Sequence, residues 1–250
     1  MKINIVNCIF ILDSVKNDNI RKTDIKKIKV LVNENSSLPE LEYKTGNIKD
    51  KNKSFISKLI GSNTFHLEQV YTLENKDSID IVYLGITNIE NITKLDKNYK
   101  LVDFSINGNK EIVLDNKNYK YKTIENIDGN NIEYTHEIDV KDSSLNRILL
   151  ELLISYKRIR SNIDNTDIMF KFMASTFTLE DVRMVYELIK DTSVDKSNFR
   201  KKIIKYVEET NNTSEEKNGY RPSKKYKFKP LKGDVWVWFL HQIIVANWKK

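Results

Sequence analysis

The chain has 250 residues, 40% of them hydrophobic and 31% charged, with a net charge of +7. That is an ordinary apolar content for a folded protein of one large or two small domains. A single cysteine, Cys8, excludes an internal disulfide and points to a reducing compartment, the cytoplasm. No run approaches the ~18 apolar residues of a membrane span, and the N-terminus lacks the basic region and cleavage site of a signal peptide.

In chain order, residues 3–12 and 28–33 are β-branched and apolar and read as strands. Between residues 48 and 60, Phe55, Ile56, Leu59 and Ile60 recur at helical spacing, which predicts a helix ended by Gly61. Residues 65–73 and 78–86 read as two strands around a turn at 74–77. Three shorter strands follow at 100–106, 110–114 and 118–124, with Asn-Gly and Asp-Asn turns between them.

The pattern changes near residues 136–145. Residues 143–162 predict a long amphipathic helix with Ser143 or Ser144 at its N-cap, and the chain then reads as mostly helical until Asn212. Thr178 and Asp181 form a capping box at the start of a helix that buries Leu179, Val182, Val185, Leu188 and Ile189, with Glu180, Arg183 and Glu187 facing out. A break at 190–195 leads to a second helix capped by Asp195 or Ser193. On it Phe199, Ile203, Tyr206 and Val207 share one face; Ser197, Asn198, Lys201, Lys202 and Lys205 lie opposite, flanked by Lys196 and Arg200. Residues 220–232 alternate and read as a basic β-ribbon of two short arms carrying Arg221, Lys224, Lys225, Lys227 and Lys229, with Tyr220 and Tyr226 interleaved.

Net basicity is confined to this region. Residues 196–232 hold twelve Lys or Arg and four Glu, net +8, which leaves the rest of the chain at −1. A localised basic module is the footprint of a nucleic-acid partner. Helix, turn, basic helix, loop and basic ribbon follow the order of a winged helix-turn-helix, in which short polar side chains meet base edges and long cations meet phosphates. The expected partner is double-stranded DNA. The expected contacts are Lys196, Ser197, Asn198, Arg200, Lys201, Lys202, Lys205, Arg221, Lys224 and Lys225.

The blocks FTLEDVRMVYELI, VDKSNFRKKI and RPSKKYKF together resemble the C-terminal winged helix of the Nudix-related transcriptional regulators of bacteria. Phe177, Thr178, Leu179, Val185, Tyr186, Glu187, Asp195, Lys196, Asn198, Phe199, Arg200, Lys202, Arg221, Pro222, Tyr226 and Phe228 fall on that pattern; Ser197 stands where the family usually carries Arg. Leu38-Pro39, HLEQVYTL at 66–73 and VYLGI at 82–86 resemble blocks of the family's Nudix-like domain. The resemblance implies an α/β chain with a Nudix-like α/β/α sandwich over residues 1–140 for sensing and dimerisation. A linking helix would span 141–162, the winged helix 163–232, and a Trp-rich tail 233–250. It also implies a homodimer and a nucleotide or sugar-derived effector such as an ADP-ribose-like metabolite.

A Nudix hydrolase needs Gly-x5-Glu-x7-Arg-Glu-x-x-Glu-Glu-x-Gly, whose glutamates hold divalent metal. Counted from Gly46, the first Glu position is Asn52 and the Arg-Glu position is Ile60-Gly61; Lys53 and Lys58 lie between, and the helix has no carboxylate after Asp50. No catalytic residue, metal site or cofactor is therefore expected. His66, His136 and His241 lack metal-ligand spacing. Glu68, near Tyr71, is either a pocket group or a strand-edge carboxylate. The tail, with Trp236, Trp238 and Trp248, suits docking on the winged helix or linking helix, a dimer contact, or an interfacial anchor. Two other functions remain open, a divergent nucleotide pyrophosphate hydrolase and an adaptor that binds protein through the tail.

Overall fold

The computed structural model describes residues 2–15, 24–74, 77–108, 110–128, 131–214 and 222–230. The chain divides into two compact units, one of residues 1–11, 28–86 and 92–157 and the other of residues 12–27, 87–91 and 158–250. Among the described residues no helix is long and apolar enough to cross a membrane.

The first unit is built on β1 (Lys2–Val15), β2 (Ile25–Asn33), β3 (Glu40–Tyr43), β4 (His66–Glu74), β5 (Ser78–Asn88), β6 (Tyr99–Asn107), β7 (Glu111–Leu114), β8 (Lys117–Asp128) and β9 (Asn131–Ile138). They form one sheet in the order β4-β5-β1-β2-β6-β7-β8-β9, and β3 pairs with β1. β3 and β9 are strands that the sequence reading leaves out. The Asp115-Asn116 turn is as read: both residues have positive φ (50° and 63°), and the β7–β8 hairpin closes on the Leu114–Lys117 pair.

Two helices cover opposite faces of this sheet. On β1, Asn7 points to α1 (Ile48–Ile60), where its side chain accepts from Asn52 at 2.8 Å. Phe10, of opposite parity, points to α2 (Ser143–Asn162), where it meets Tyr156 and Phe104 in a cluster with centroids 5.4–6.1 Å apart. Alternation along a strand sends neighbours to opposite faces, so this is an α/β/α layering. α1 buries Ile56, Leu59 and Ile60. α2 buries Leu149, Leu152, Leu153 and Tyr156. The N-cap of α2 is neither Ser143 nor Ser144. Asp142 caps it, accepting from the Leu145 amide at 2.9 Å, because a carboxylate one residue earlier already satisfies that donor.

Gly61 ends α1 in the left-handed region, φ 66°. The carbonyls of Leu59 and Ile60 are taken up by the amides of Asp96 and Lys94, and that loop lies so close that a Cβ on Gly61 would sit 2.6 Å from Thr93 Oγ1 and 2.8 Å from the Lys94 amide nitrogen.

The α2 side of the sheet also buries charge. Arg147 bonds Glu151 at 2.9 Å and Asp80 at 3.2 Å, and Asn4 donates to Asp80 at 2.8 Å. Glu151 and Asp80 are almost fully buried. Burial raises the Glu151 carboxyl to about 7, against the opposing pull of Arg147. Cys8 is fully buried, and burial pushes its thiol far above the usual range.

The second unit contains α3 (Leu179–Lys190), α4 (Lys196–Ile203), β10 (Val207–Thr213) and β11 (Lys224–Phe228). Its core joins Phe170, Phe177 and Phe228 at ring distances of 4.5–5.8 Å, and Tyr186 against Phe199 at 5.5 Å. The chain is not helical to Asn212. α4 ends at Ile203, a 3-10 turn covers Ile204–Tyr206, and Val207–Thr213 is a strand paired antiparallel with β11. The ribbon's first arm is thus VEETNNT and its second is KKYKF. Val207, Thr210 and Thr213 supply the β-branched residues, while Glu208-Glu209 carries the helical propensity that obscured them.

Two stability measurements check this account. Gly61→Ala should cost more than about 2 kcal/mol in denaturant unfolding, since it adds a steric conflict to the ~1 kcal/mol of a left-handed alanine. Glu151 binds a proton more tightly folded than unfolded, so its contribution is greatest below its unfolded value of 4.5 and is lost as pH rises through about 7. Glu151→Gln should therefore flatten the fall in thermal midpoint between about pH 5 and about pH 8 relative to wild type.

Candidate nucleic-acid interface

α3 and α4 begin where their side chains cap them. Thr178 accepts from the Asp181 amide at 3.1 Å, and Asp181 accepts from the Thr178 amide at 2.9 Å, a complete capping box. Lys26 also holds Asp181, at 2.7 Å. Burial alone would raise the Asp181 carboxyl, but Lys26 and the Thr178 hydrogen bonds outweigh it and hold the group below the usual carboxylate range. α3 buries Val182, Val185, Tyr186 and Ile189; Leu179 and Leu188 are only partly covered, and Tyr186 joins the buried set. Tyr186 donates to the buried Asp164 at 2.8 Å, which also holds Lys190 at 2.6 Å. Asp191 closes α3 in the left-handed region, φ 53°. Asp195, and not Ser193, caps α4 by accepting from the Asn198 amide at 2.8 Å.

α4 has the two faces its sequence predicts. Phe199, Ile203, Tyr206 and Val207 are buried. Lys196, Ser197, Asn198, Arg200, Lys201 and Lys205 are exposed, and Lys202 is half-buried. Lys205 lies in the 3-10 turn and not on the helix proper.

Two glutamates, Glu180 and Glu187, that read as facing solvent instead organise this surface with Arg183. The Arg183 guanidinium grips Glu180 with two nitrogens, at 2.7 and 3.2 Å, and bonds Glu187 as well. Glu187 accepts from the Val194 amide at 2.8 Å, in the turn that leads into α4. Lys196, at the first position of α4, reaches Glu180 at 3.2 Å. A chain of charge-assisted bonds therefore runs from the turn, through α3, to the start of α4. The signal for it was present in the i, i+3 and i, i+4 spacing of Glu180, Arg183 and Glu187.

The ribbon sorts its cations onto two faces. Tyr226 is buried and Phe228 packs on Phe170, so Tyr226 belongs to the core and does not present itself beside the lysines. Lys224 shares the parity of Tyr226, whereas Lys225 and Lys227 have the other. Lys224 pairs with Glu209 at 2.6 Å and Lys227 with Glu208 at 3.3 Å. The backbone of Phe177 bridges β11 through bonds of 2.7 and 2.9 Å with Tyr226, which fixes the ribbon beside α3. A cleft of about 250 Å³ results, lined by Thr178, Glu180, Arg183, Lys196, Arg200, Ser223 and Lys224 over a floor of Leu179, Phe199 and Tyr226. It gathers Lys196, Arg200 and Lys224 from the predicted set. Ser197, Asn198, Lys201, Lys202, Lys205 and Lys225 lie outside it. Arg221, Tyr220 and the Trp-rich tail at 233–250 lie outside the described residues.

In the first unit, the position of the first Nudix-box glutamate is held by Asn52, fully buried and bonded to Asn7, whose own side chain donates to the Pro39 carbonyl at 3.3 Å. Lys53 and Lys58 are exposed. Glu68 lies 3.5 Å from His66 on β4, and the Tyr71 phenol is raised by burial. Among the described residues no cluster of His, Cys, Asp or Glu is arranged to hold a metal ion.

Residues 169–228 match the family described as the NrtR DNA-binding winged helix domain. No curated protein sequence matches the chain. Among solved structures, the NrtR of Shewanella oneidensis complexed with a 27mer DNA is similar over 91% of this chain and 94% of its own, with 13% identity and a TM-score of 0.61. The same NrtR in a second structure is similar over 92% and 95%, at 11% identity and a TM-score of 0.60. A MutT/nudix family protein from Enterococcus faecalis is similar over 92% and 88%, at 17% identity and a TM-score of 0.60. Residues 169–228 thus match the NrtR DNA-binding winged helix domain, and the chain shares the fold of the solved NrtR structures, a Nudix-like α/β/α domain followed by a winged helix.

Proposed function

We propose that this chain is a transcriptional regulator that binds double-stranded DNA through α4 and the β10–β11 ribbon. The observation that carries the reading is the division of α4 and the 3-10 turn after it into a packed back (Phe199, Ile203, Tyr206) and an exposed front of Ser197, Asn198, Arg200 and Lys201. A helix held that way can enter a major groove without losing its core. Asn198 and Ser197 are the candidates for base edges. Arg200, Lys201, Lys202, Lys205 and the ribbon lysines, with Arg221, are the candidates for phosphates. The solved NrtR–DNA complex of a protein with this fold supports the same reading.

The Nudix-like domain serves on this reading as sensor and dimer platform, and a homodimer would present two copies of α4 to a pseudo-palindromic site. Its effector is an ADP-ribose-like nucleotide or a related sugar metabolite. Pyrophosphate hydrolysis does not fit α1, which offers a buried amide at Asn52 and exposed cations at Lys53 and Lys58 where metal-binding carboxylates are needed.

Gel-shift titration against the chain's own promoter DNA at several salt concentrations tests the DNA reading. Arg200→Ala should weaken binding and flatten the salt dependence by about one counterion. Lys225→Ala, on the other face of the ribbon from Lys224, should do the same and reports the ribbon separately. Unchanged affinity and slope in both variants would refute the assignment. The sensor reading predicts that ADP-ribose raises the thermal midpoint of the full chain; a midpoint indifferent to nucleotides and sugar phosphates would remove that part.

A further inference from the structure

The cleft between α3, α4 and β11 contains a feature that DNA binding does not require. Its lining carries four cations, Arg183, Lys196, Arg200 and Lys224, and one carboxylate, Glu180. A site built only to receive a phosphate gains nothing from a negative charge at its wall, since like charges repel across so short a distance. Glu180 is not adjustable. Arg183 holds it by both carboxylate oxygens, and its side chain is only 23% exposed. Lys196 is the loose member of the pair, with a side chain 74% exposed that reaches back 3.2 Å to Glu180.

We propose that Glu180 is a built-in competitor for Lys196, so that a backbone phosphate of duplex DNA entering this cleft must take the lysine away from the carboxylate. The inference rests on the DNA-binding reading and adds to it the residue that tunes affinity and salt response. The exchange is one of partners with no chemistry. Lys196 leaves a carboxylate oxygen for a phosphate oxygen, while Arg183 retains Glu180 and keeps the turn into α4 in place. The hydrogen bonds from Arg183, followed by those from Lys196, outweigh burial and keep Glu180 below the usual carboxylate range, so the competitor stays ionised at neutral pH. In the free protein Lys196 is partly neutralised, which lowers the number of counterions it releases when DNA binds.

The test is Glu180→Gln in the full chain, which keeps an oxygen for Arg183 and removes the charge. The probe is a mixed-sequence duplex of about 30 base pairs, titrated from low to moderate salt, since non-specific binding already reports phosphate contacts. Affinity at low salt should rise roughly three- to tenfold, and the salt dependence should steepen by about one counterion. In a Lys196→Ala background the same substitution should lose most of that gain. Arg200→Ala, measured in parallel, separates the two readings. If Arg200→Ala weakens binding while Glu180→Gln leaves it unchanged or weakens it, Glu180 merely positions α4 and the competitor role is wrong. If neither wild type nor variants bind duplex in a salt-dependent way, the DNA reading fails first and this inference falls with it.

Discussion

A helix of eight residues has no stability of its own in water, because the cost of nucleating it exceeds what so few hydrogen bonds return. α4 exists because Phe199 and Ile203 are buried against the core that contains Tyr186, and because Asp195 supplies the cap at its first turn. Everything on its exposed side depends on that anchoring. The apolar positions fix its rotation, and the chain of bonds through Glu187, Arg183, Glu180 and Lys196 fixes how it leaves α3. Tyr186 and Phe199 belong both to the core and to the block of sequence that carries the family resemblance.

The first unit illustrates a different constraint, a helix with a packing face and without the carboxylates of a Nudix box. A Nudix-type helix packs one face on the sheet and offers carboxylates on another. α1 has the packing face, with Ile56, Leu59 and Ile60 buried, and ends at Gly61, where the box would place a glutamate. At Asn52 it turns to an amide that bonds Asn7 inside the layer. The buried charges that remain, Arg147 with Glu151 and Asp80, lie against the other helix, on the opposite face of β1. Such a cluster is weak support for stability and strong support for register, since each member is costly to leave unpaired.

Local chemistry accounts for what the sequence made legible. The Thr178–Asp181 capping box, the Asp115-Asn116 turn and the Gly61 exit each need only a few adjacent residues, and each stands where its residues predict. What escaped depends on partners distant in sequence. β10 is hidden because Glu208 and Glu209 favour a helix until KKYKF arrives to pair with them. β3 is four residues long and exists through its pairing with β1. The split of the ribbon into a core face with Tyr226 and a cationic face with Lys225 follows from register, which a list of basic residues does not contain. Asp142 was passed over as a cap because two serines beside it are equally competent by type, and only geometry separates them.

Register also revises what the charge count means. The net charge of +8 over residues 196–232 says nothing of which cations are paired, and Lys196, Lys224 and Lys227 each face a glutamate across a short gap. Exposed pairs of this kind are worth about 1 kcal/mol or less, too little to lock a lysine but enough to bias where it points. Duplex DNA offers a phosphate charge every ~1.7 Å and a condensed counterion layer whose release favours the complex. Against that field a surface glutamate is an easily displaced partner. The glutamates therefore leave the sign of the surface unchanged and lower its strength. A protein that must leave one DNA site for another gains more from that than from the last increment of affinity, because the non-specific term rises with every unpaired cation while base contacts do not.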